Sequence, residues 1–335
     1  MAPTDTIMKI DRRLSVAPMM SWTDRHCRYF LRLIAPQALL YTVMITTGAL
    51  VHGKKLEVLD YSAEEHPIAL QLGGSEPDDL AHCAGLAEKY GYDEINLNCG
   101  CPSERVQKGS FGACLMAEPQ LVADCIDAMK QKTNIPVTVK TRIGIDDRDD
   151  YGFLRDFIGK IADKGCTTFI IHARKAILKG LSPAENRTVP PLMWDRAYQL
   201  KKDFPDLEII LNGGIKTVAD VKDALTHADG AMIGREAYHN PYMMAACAQE
   251  IFGAGTPLSR EEVTLRLIPY IDARLVAGDK LHDITRHILG LYHGQPRAKR
   301  WRQILSSEAM KPGVDSWLLH RAMAVVAPES LENSA

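Results

Sequence analysis

The 335-residue chain has no stretch approaching the roughly 18 uninterrupted apolar residues that a membrane span requires. It has no Cys-x-x-Cys pair either. Its eight cysteines, at 27, 83, 99, 101, 114, 125, 166 and 247, are too sparse for a disulfide scaffold and lack zinc-ribbon spacing. They read as reduced thiols, and no metal site is expected. Charge of one sign is missing as well: 40 Lys plus Arg against 42 Asp plus Glu leave a net charge of −2. Any contact with nucleic acid must therefore come from a local patch. No Gly-x-Gly-x-x-Gly follows the first strand-like run, which argues against an open sheet with a dinucleotide crevice. The opening MAPTDTIMKIDRR has no apolar core of a secretory signal and carries two acids. A cytoplasmic protein is expected, with no membrane association and no stable protein partner.

What is present is a regular alternation. Short β-rich runs lie at 14–19, 39–45, 67–73, 94–100, 136–144, 167–173, 208–214 and 230–235. Between them, segments such as 78–90, 120–132, 151–164 and 218–226 carry apolar residues at helical spacing. Eight strands alternating with helices predict an α/β fold, a closed (β/α)8 TIM barrel. After Arg235 the strand pattern stops. Helical stretches at 260–276, 282–293, 296–307 and 316–326, separated by glycine and proline breaks, predict a small C-terminal all-α domain. The expected division is 1–240 for the barrel and 241–335 for the helical domain. The intervals after the fourth and sixth strands, 101–118 and 174–192, are long, and loops on that rim build the active sites of such barrels.

The predicted strand ends are rich in polar side chains: Gln71, Asn96, Asn98, Lys140, Arg142, His172, Arg174 and Asn212. So many on one rim are costly unless they bind something. Asn212-Gly213-Gly214 ends the seventh strand and Gly234-Arg235 the eighth, where barrels commonly hold a phosphate on backbone N–H groups. Tight turns alone would also account for those glycines, but their place in the barrel favours the phosphate. Lys140 has three readings: a Schiff-base nucleophile, a fixed charge or a snorkelling structural lysine. Together with a phosphate site, a Lys, a His and a Gln suit a planar cofactor such as FMN. Among the cysteines, Cys83 and Cys125 fall in helical patterns and read as packing, whereas Cys101 lies in the loop Asn98-Cys99-Gly100-Cys101-Pro102-Ser103.

Two basic clusters stand out against the neutral whole. Arg286, Arg297, Lys299, Arg300 and Arg302 occur in 286–302 with no acid, and 174–187 holds Arg174, Lys175, Lys179 and Arg187 against Glu185 alone. Basic runs are usually solvated faces, yet two flanking one barrel mouth suggest a polyanion track. Trp301 and Tyr292 are expected to add aromatic surface there, against the commoner reading of a Trp on a short helix as core.

Ala17-Pro18-Met19, Asn96-Leu97-Asn98 with Gly100-Cys101-Pro102-Ser103, Val139-Lys140-Thr141-Arg142, His172-Ala173-Arg174 and Asn212-Gly213-Gly214 resemble the tRNA-dihydrouridine synthases. The segments Trp22-Thr23-Asp24-Arg25-His26-Cys27-Arg28 and His172-Ala173-Arg174-Lys175 are similar to the bacterial A subfamily. The resemblance implies an FMN barrel with a helical tRNA-binding domain. It implies NADPH-driven reduction of the C5=C6 bond of D-loop uridines 20 and 20a. It places FMN on Ala17, Pro18, Met19, Gln71, Lys140 and His172, with its phosphate on Asn212, Gly213, Gly214, Gly234 and Arg235. Cys101 matches the proton donor, Asn98 the residue beside the uracil, and Arg174, Lys175, Arg187, Arg300 and Gln303 are candidate tRNA contacts. Val43 stands where relatives often carry Glu. A pairing of Cys99 with Cys101 would be geometrically strained and is not expected. The rival readings are an FMN barrel reducing a free pyrimidine or small enone, and a tRNA-binding protein without turnover.

Overall fold

The computed structural model describes residues 10–253 and 255–326. The N-terminal stretch read above for targeting lies largely outside them. Nine strands form one sheet: β1 Leu14–Val16, β2 Leu39–Tyr41, β3 Ile45–Thr46, β4 Ile68–Gly73, β5 Glu94–Cys99, β6 Val137–Arg142, β7 Thr168–His172, β8 Glu208–Asn212 and β9 Gly230–Ile233. Every pairing is parallel, and β2 pairs with both β1 and β4, so the sheet closes. The second expected strand is split by Thr42-Val43-Met44 into β2 and β3, both of which pair with β4. Eight barrel positions result, as the alternation predicted.

Strand alternation sorts side chains into two cores. Ile68, Leu70, Leu72, Ile95, Leu97, Cys99, Val137, Val139, Phe169, Ile171, Ile209 and Leu211 face outward into the large core beneath the helices. Inside, Ala17, Leu39, Tyr41, Ala69, Ile170, Ile210 and Met232 make a second apolar cluster. The inward positions of β5 and β6 are different. They carry Glu94, Asn96, Asn98, Thr138, Lys140 and Arg142, so that side of the interior is polar and all but Lys140 are buried.

The outer helices begin where the sequence supplies caps. Asp24 caps Arg25–Ile34 by accepting from the backbone N–H groups of His26 and Cys27, and Thr217 with Asp220 forms a capping box on Val218–His227. Past His239 the described residues hold helices and turns only. The boundary expected at 240/241 precedes the helix Met243–Phe252, which still packs on Val218–His227 and β1. Ser259 and Glu262 cap Arg260–Val276, which then lies along Arg25–Ile34. That junction is aromatic and ionic. Trp22 stacks on Tyr238 at 4.4 Å, Tyr29 on Tyr270 at 3.9 Å, and Asp24 takes Arg286 at 2.5 Å and His287 at 2.9 Å. No helix among the described residues is long and apolar enough to cross a membrane.

Candidate active site at the barrel mouth

Register decides which side chains meet. Arg142 pairs with His172 across β6 and β7, and His172 with Asn212 across β7 and β8, so these three form one row at the carboxyl ends of the strands. A second row, Gln71, Asn96 and Thr138, crosses β4, β5 and β6 two layers deeper, beneath the Asn98–Lys140 pair. Cys101 follows β5 on the loop that the Asn98 side chain caps: Asn98 Oδ1 accepts from the backbone N–H groups of Gly100 at 3.0 Å and Cys101 at 2.9 Å. The Cys101 thiol is half-buried and 3.6 Å from Ser103 Oγ. Gly112, at φ +74°, passes so close to the Cys101 carbonyl that a Cβ there would lie 2.6 Å from its oxygen. Only glycine fits that approach.

The electrostatics are one-sided. His172 is held well below its usual range by burial and by Arg142, Lys140, Arg174 and Arg187, so it is neutral at pH 7. Burial and Arg142 lower Lys140 to about 7, and Cys101 is the one group that pulls it upward. Arg142 is lowered to about 10 by burial, with Arg187 and Arg174 adding to the effect. Arg235 depresses both Arg174 and Arg187 behind the burial of each. No carboxylate appears among the charges shifting any of them. Lys140, Arg142, Arg174, Arg187 and Arg235 thus gather around a neutral imidazole, with Arg142 buried beneath the exposed Arg187 and Arg235, and burying that much positive charge is costly.

Arg142 is buried without an acid and spends its guanidinium on three carbonyls: Gly100 at 2.8 Å, Asn186 at 2.9 Å and Lys175 at 3.1 Å. It ties both long rim loops to β6. Asn186, fully buried, shapes the second loop by accepting from the Ile177 N–H and donating to the Ile177 carbonyl. Sequence reading assigned neither a role. The signal for Arg142 was its place in the strand-end polar set; Asn186 had none.

The other candidates fall as follows. Ala17, Pro18 and Met19 continue β1, with the Ala17 N–H on the Ile233 carbonyl and the Met19 N–H on Thr23 Oγ1. Asn212 donates to the Met232 carbonyl, leaving its oxygen for another partner. Gly213 and Gly214 have φ of +105° and +77°, a Cβ on Gly213 would meet the His172 ring at 2.6 Å, and Trp194 Nε1 donates to the Gly213 carbonyl. Gly234 precedes the short helix Arg235–His239. Arg187 and Arg235 are exposed beside each other, the Arg235 guanidinium on the Arg187 carbonyl at 3.2 Å. Arg174 donates to the carbonyls of Pro190 and Thr188. Lys175 is engaged by Asp149 at 2.8 Å and by the Asp146 carbonyl. Arg300 and Gln303 are exposed on Ala298–Glu308 and bonded to each other.

Two expectations change. Trp301 and Tyr292 form no aromatic surface: both are buried, their rings 4.7 Å apart, with Trp301 Nε1 on the Ile288 carbonyl. The apolar positions Ala298, Trp301, Ile304 and Leu305 set that face inward, leaving Lys299, Arg300 and Arg302 outside. Arg286 is no free member of the basic run, since it pairs with Asp24 at the junction with the barrel.

The barrel, its thiol-bearing loop and its motifs in this order match a known family. Residues 15–323 fit the dihydrouridine synthase (Dus) profile. The chain belongs to the dihydrouridine synthase family. The chain is 59% identical over 319 residues to the tRNA-dihydrouridine(20/20a) synthase of Vibrio parahaemolyticus serotype O3:K6, covering 95% of this chain and 98% of the relative. It is 58% identical over 327 residues to that of Escherichia coli strain K12, covering 97% and 94%. Among solved structures, a 2-naphthoyl-CoA reductase complexed with 2-naphthoyl-CoA aligns with a TM-score of 0.53 at 11% identity, over 72% of this chain and 50% of that one, a likeness of fold. Family membership makes the protein an oxidoreductase.

Proposed function

We propose that the protein reduces the C5=C6 bond of uridines 20 and 20a in the tRNA D-loop, using FMN and NADPH, with Cys101 as the proton donor. The observation that carries this reading is the gathering of Lys140, Arg142, His172 and Asn212 at the carboxyl ends of neighbouring strands, with the half-buried Cys101 on the loop that leaves β5 beside them. The residues fit FMN: Lys140 and His172 lie at the mouth with Gln71 buried beneath them, and the positive-φ pair Gly213–Gly214 with Asn212, Gly234 and Arg235 offers backbone N–H groups and a guanidinium to its phosphate. Ala17, Pro18 and Met19 would border the ring. Bound there, FMN supplies the hydride for uracil C6 after reduction by NADPH.

The chain's own groups do the rest. Hydride addition at C6 leaves negative charge on the uracil enolate, and the Cys101 thiol transfers its proton to C5. The thiol, which donates to Ser103 Oγ at 3.6 Å, has to keep its proton until the hydride has been added. Asn98 lies at the base of the same loop, next to where the pyrimidine must enter. A uridine has to leave its stack to reach this depth, so tRNA binding is assigned to the helical part from 241 onward, through Arg300 and Gln303, together with Arg174, Lys175 and Arg187 of the rim loop.

The test is direct. Purified protein should carry about one FMN, turn colourless with NADPH, and regain colour with unmodified tRNA while dihydrouridine appears at positions 20 and 20a. A colourless preparation that takes up no FMN, or tRNA from a deletion strain with an intact D-loop pattern, would overturn it.

A further inference from the structure

A chain of buried hydrogen bonds links the floor of the barrel to the Cys101 loop. Glu94, fully buried, is fixed by Arg12 Nε at 2.7 Å and by Tyr41 Oη at 2.7 Å. Thr138 Oγ1 donates to Glu94 Oε1 at 2.7 Å, with the Ile95 carbonyl at 3.2 Å as a second acceptor. Asn96 Nδ2 donates to Thr138 Oγ1 at 2.9 Å, Gln71 Nε2 to Asn96 Oδ1 at 2.8 Å, and Asn98 Nδ2 to Gln71 Oε1 at 2.9 Å. Asn98 Oδ1 then receives the N–H groups of Gly100 and Cys101.

The chain has one polarity, and its floor sets it. A hydroxyl has a single proton, and Thr138 gives it to a carboxylate or a carbonyl, both pure acceptors. Towards Asn96 it can only accept. That turns the Asn96 amide, which turns Gln71, which turns Asn98 so that its oxygen faces the loop. At the upper end two backbone N–H groups demand the same orientation. Three amides, each able to flip when isolated, are thereby locked in one sense.

We propose that Thr138 is a positioning residue for proton transfer: through Asn96, Gln71 and Asn98 its hydroxyl fixes the turn that holds Cys101. The inference rests on the reading of Cys101 as proton donor. Thr138→Val keeps the shape but leaves the Asn96 amine without its acceptor, so the amides lose their common sense. In holoenzyme normalised to bound flavin, reoxidation by saturating tRNA should slow about tenfold to a hundredfold, the scale of a misplaced reacting group. The KM for tRNA should stay within about twofold, because the chain touches no tRNA-facing charge.

Three comparisons keep the result decisive. Thr138→Ser restores the hydroxyl and should restore the rate. Tyr41→Phe removes an equally buried hydroxyl from the same Glu94 oxygen without breaking the chain, and should not reproduce the slow step. If Thr138→Val yields no holoenzyme, Asn96→Leu cuts the chain one link nearer the loop and must give the same split. Equal slowing by Thr138→Val and Tyr41→Phe, or a Thr138→Val protein as fast as wild type, overturns the inference. Wild-type flavin that tRNA cannot reoxidise instead sinks the functional reading beneath it.

Discussion

Arg142 donates to the Gly100 carbonyl at 2.8 Å, from β6 to the first residue beyond β5, so the strand that carries Lys140 also fixes the start of the Cys101 loop. The same guanidinium holds Asn186 and Lys175 on the opposite rim loop. Its planar fork makes three bonds that a single ammonium cannot span. Arg142→Lys should therefore lower unfolding free energy by about 2–4 kcal/mol, through the removal of one or two charge-assisted bonds to buried carbonyls. Denaturant unfolding checks this. A decrease below about 0.5 kcal/mol, the size of an ordinary surface change, would show that the loops are held without it.

Cys101→Ala separates the two halves of the proposed reaction. In that reaction the thiol would act on the uracil alone, so NADPH should still bleach the flavin at the wild-type rate. Loss of a positioned acid slows protonation by about 10²–10⁴-fold, and dihydrouridine formation should fall by that amount. Stopped-flow absorbance follows both steps. Product formation at an unchanged rate would remove Cys101 from the chemistry.

Lys140 yields a pH dependence with a definite sign. Burial lowers its folded value to about 7 from an ordinary 10.5. Below pH 7 both folded and unfolded chains carry the charge, and the whole cost of burying it is felt. Between pH 7 and 10.5 the unfolded chain holds a proton the folded one has released, so this group's contribution to stability rises with pH. Flavin-free Lys140→Met should accordingly gain most over the wild type below pH 7 and lose that advantage towards pH 10. Denaturation midpoints at pH 6 and pH 10 measure the difference, and a gap that does not narrow contradicts the shift.

Much of this was legible because strands and charges leave strong marks. Eight β-rich runs between amphipathic segments predict the barrel, and the stretch 260–276 coincides with the helix Arg260–Val276, whose start the Ser259–Glu262 capping box fixes. The split of the second strand was not legible, since Thr42-Val43-Met44 has the same apolar, β-branched character as its flanks. The polar row Gln71, Asn96 and Thr138 was half visible. Two amides in apolar strands invite notice, but a threonine in a strand is ordinary, and register across β4, β5 and β6 exists only in three dimensions. Glu94 had a signal that went unread: a carboxylate opening an apolar strand must find a buried partner, and Arg12, 82 residues away, is that partner. Arg286 fails for the same reason, because its acid, Asp24, lies 262 residues distant.

That last contrast gives the sharpest test of the proposed tRNA surface. Lys299 and Arg300 project from Ala298–Glu308 into solvent, whereas Arg286 is consumed by Asp24 between the barrel and the helical region. Lys299→Glu with Arg300→Glu should weaken tRNA binding and lower the slope of log affinity against log salt by about one for each phosphate that is no longer neutralised. Flavin content should not move, as neither residue is among those assigned to FMN. Arg286→Gln should leave the salt slope unchanged, because a charge already neutralised by a neighbouring carboxylate releases few counterions. Its effect should instead be on thermal stability, through an Asp24 left with His287 alone at a helix cap. Filter binding across a salt series, paired with melting curves, separates the two. An equal fall in slope for both variants would mean that the basic run acts as one patch and that the Asp24 pairing opens when tRNA binds.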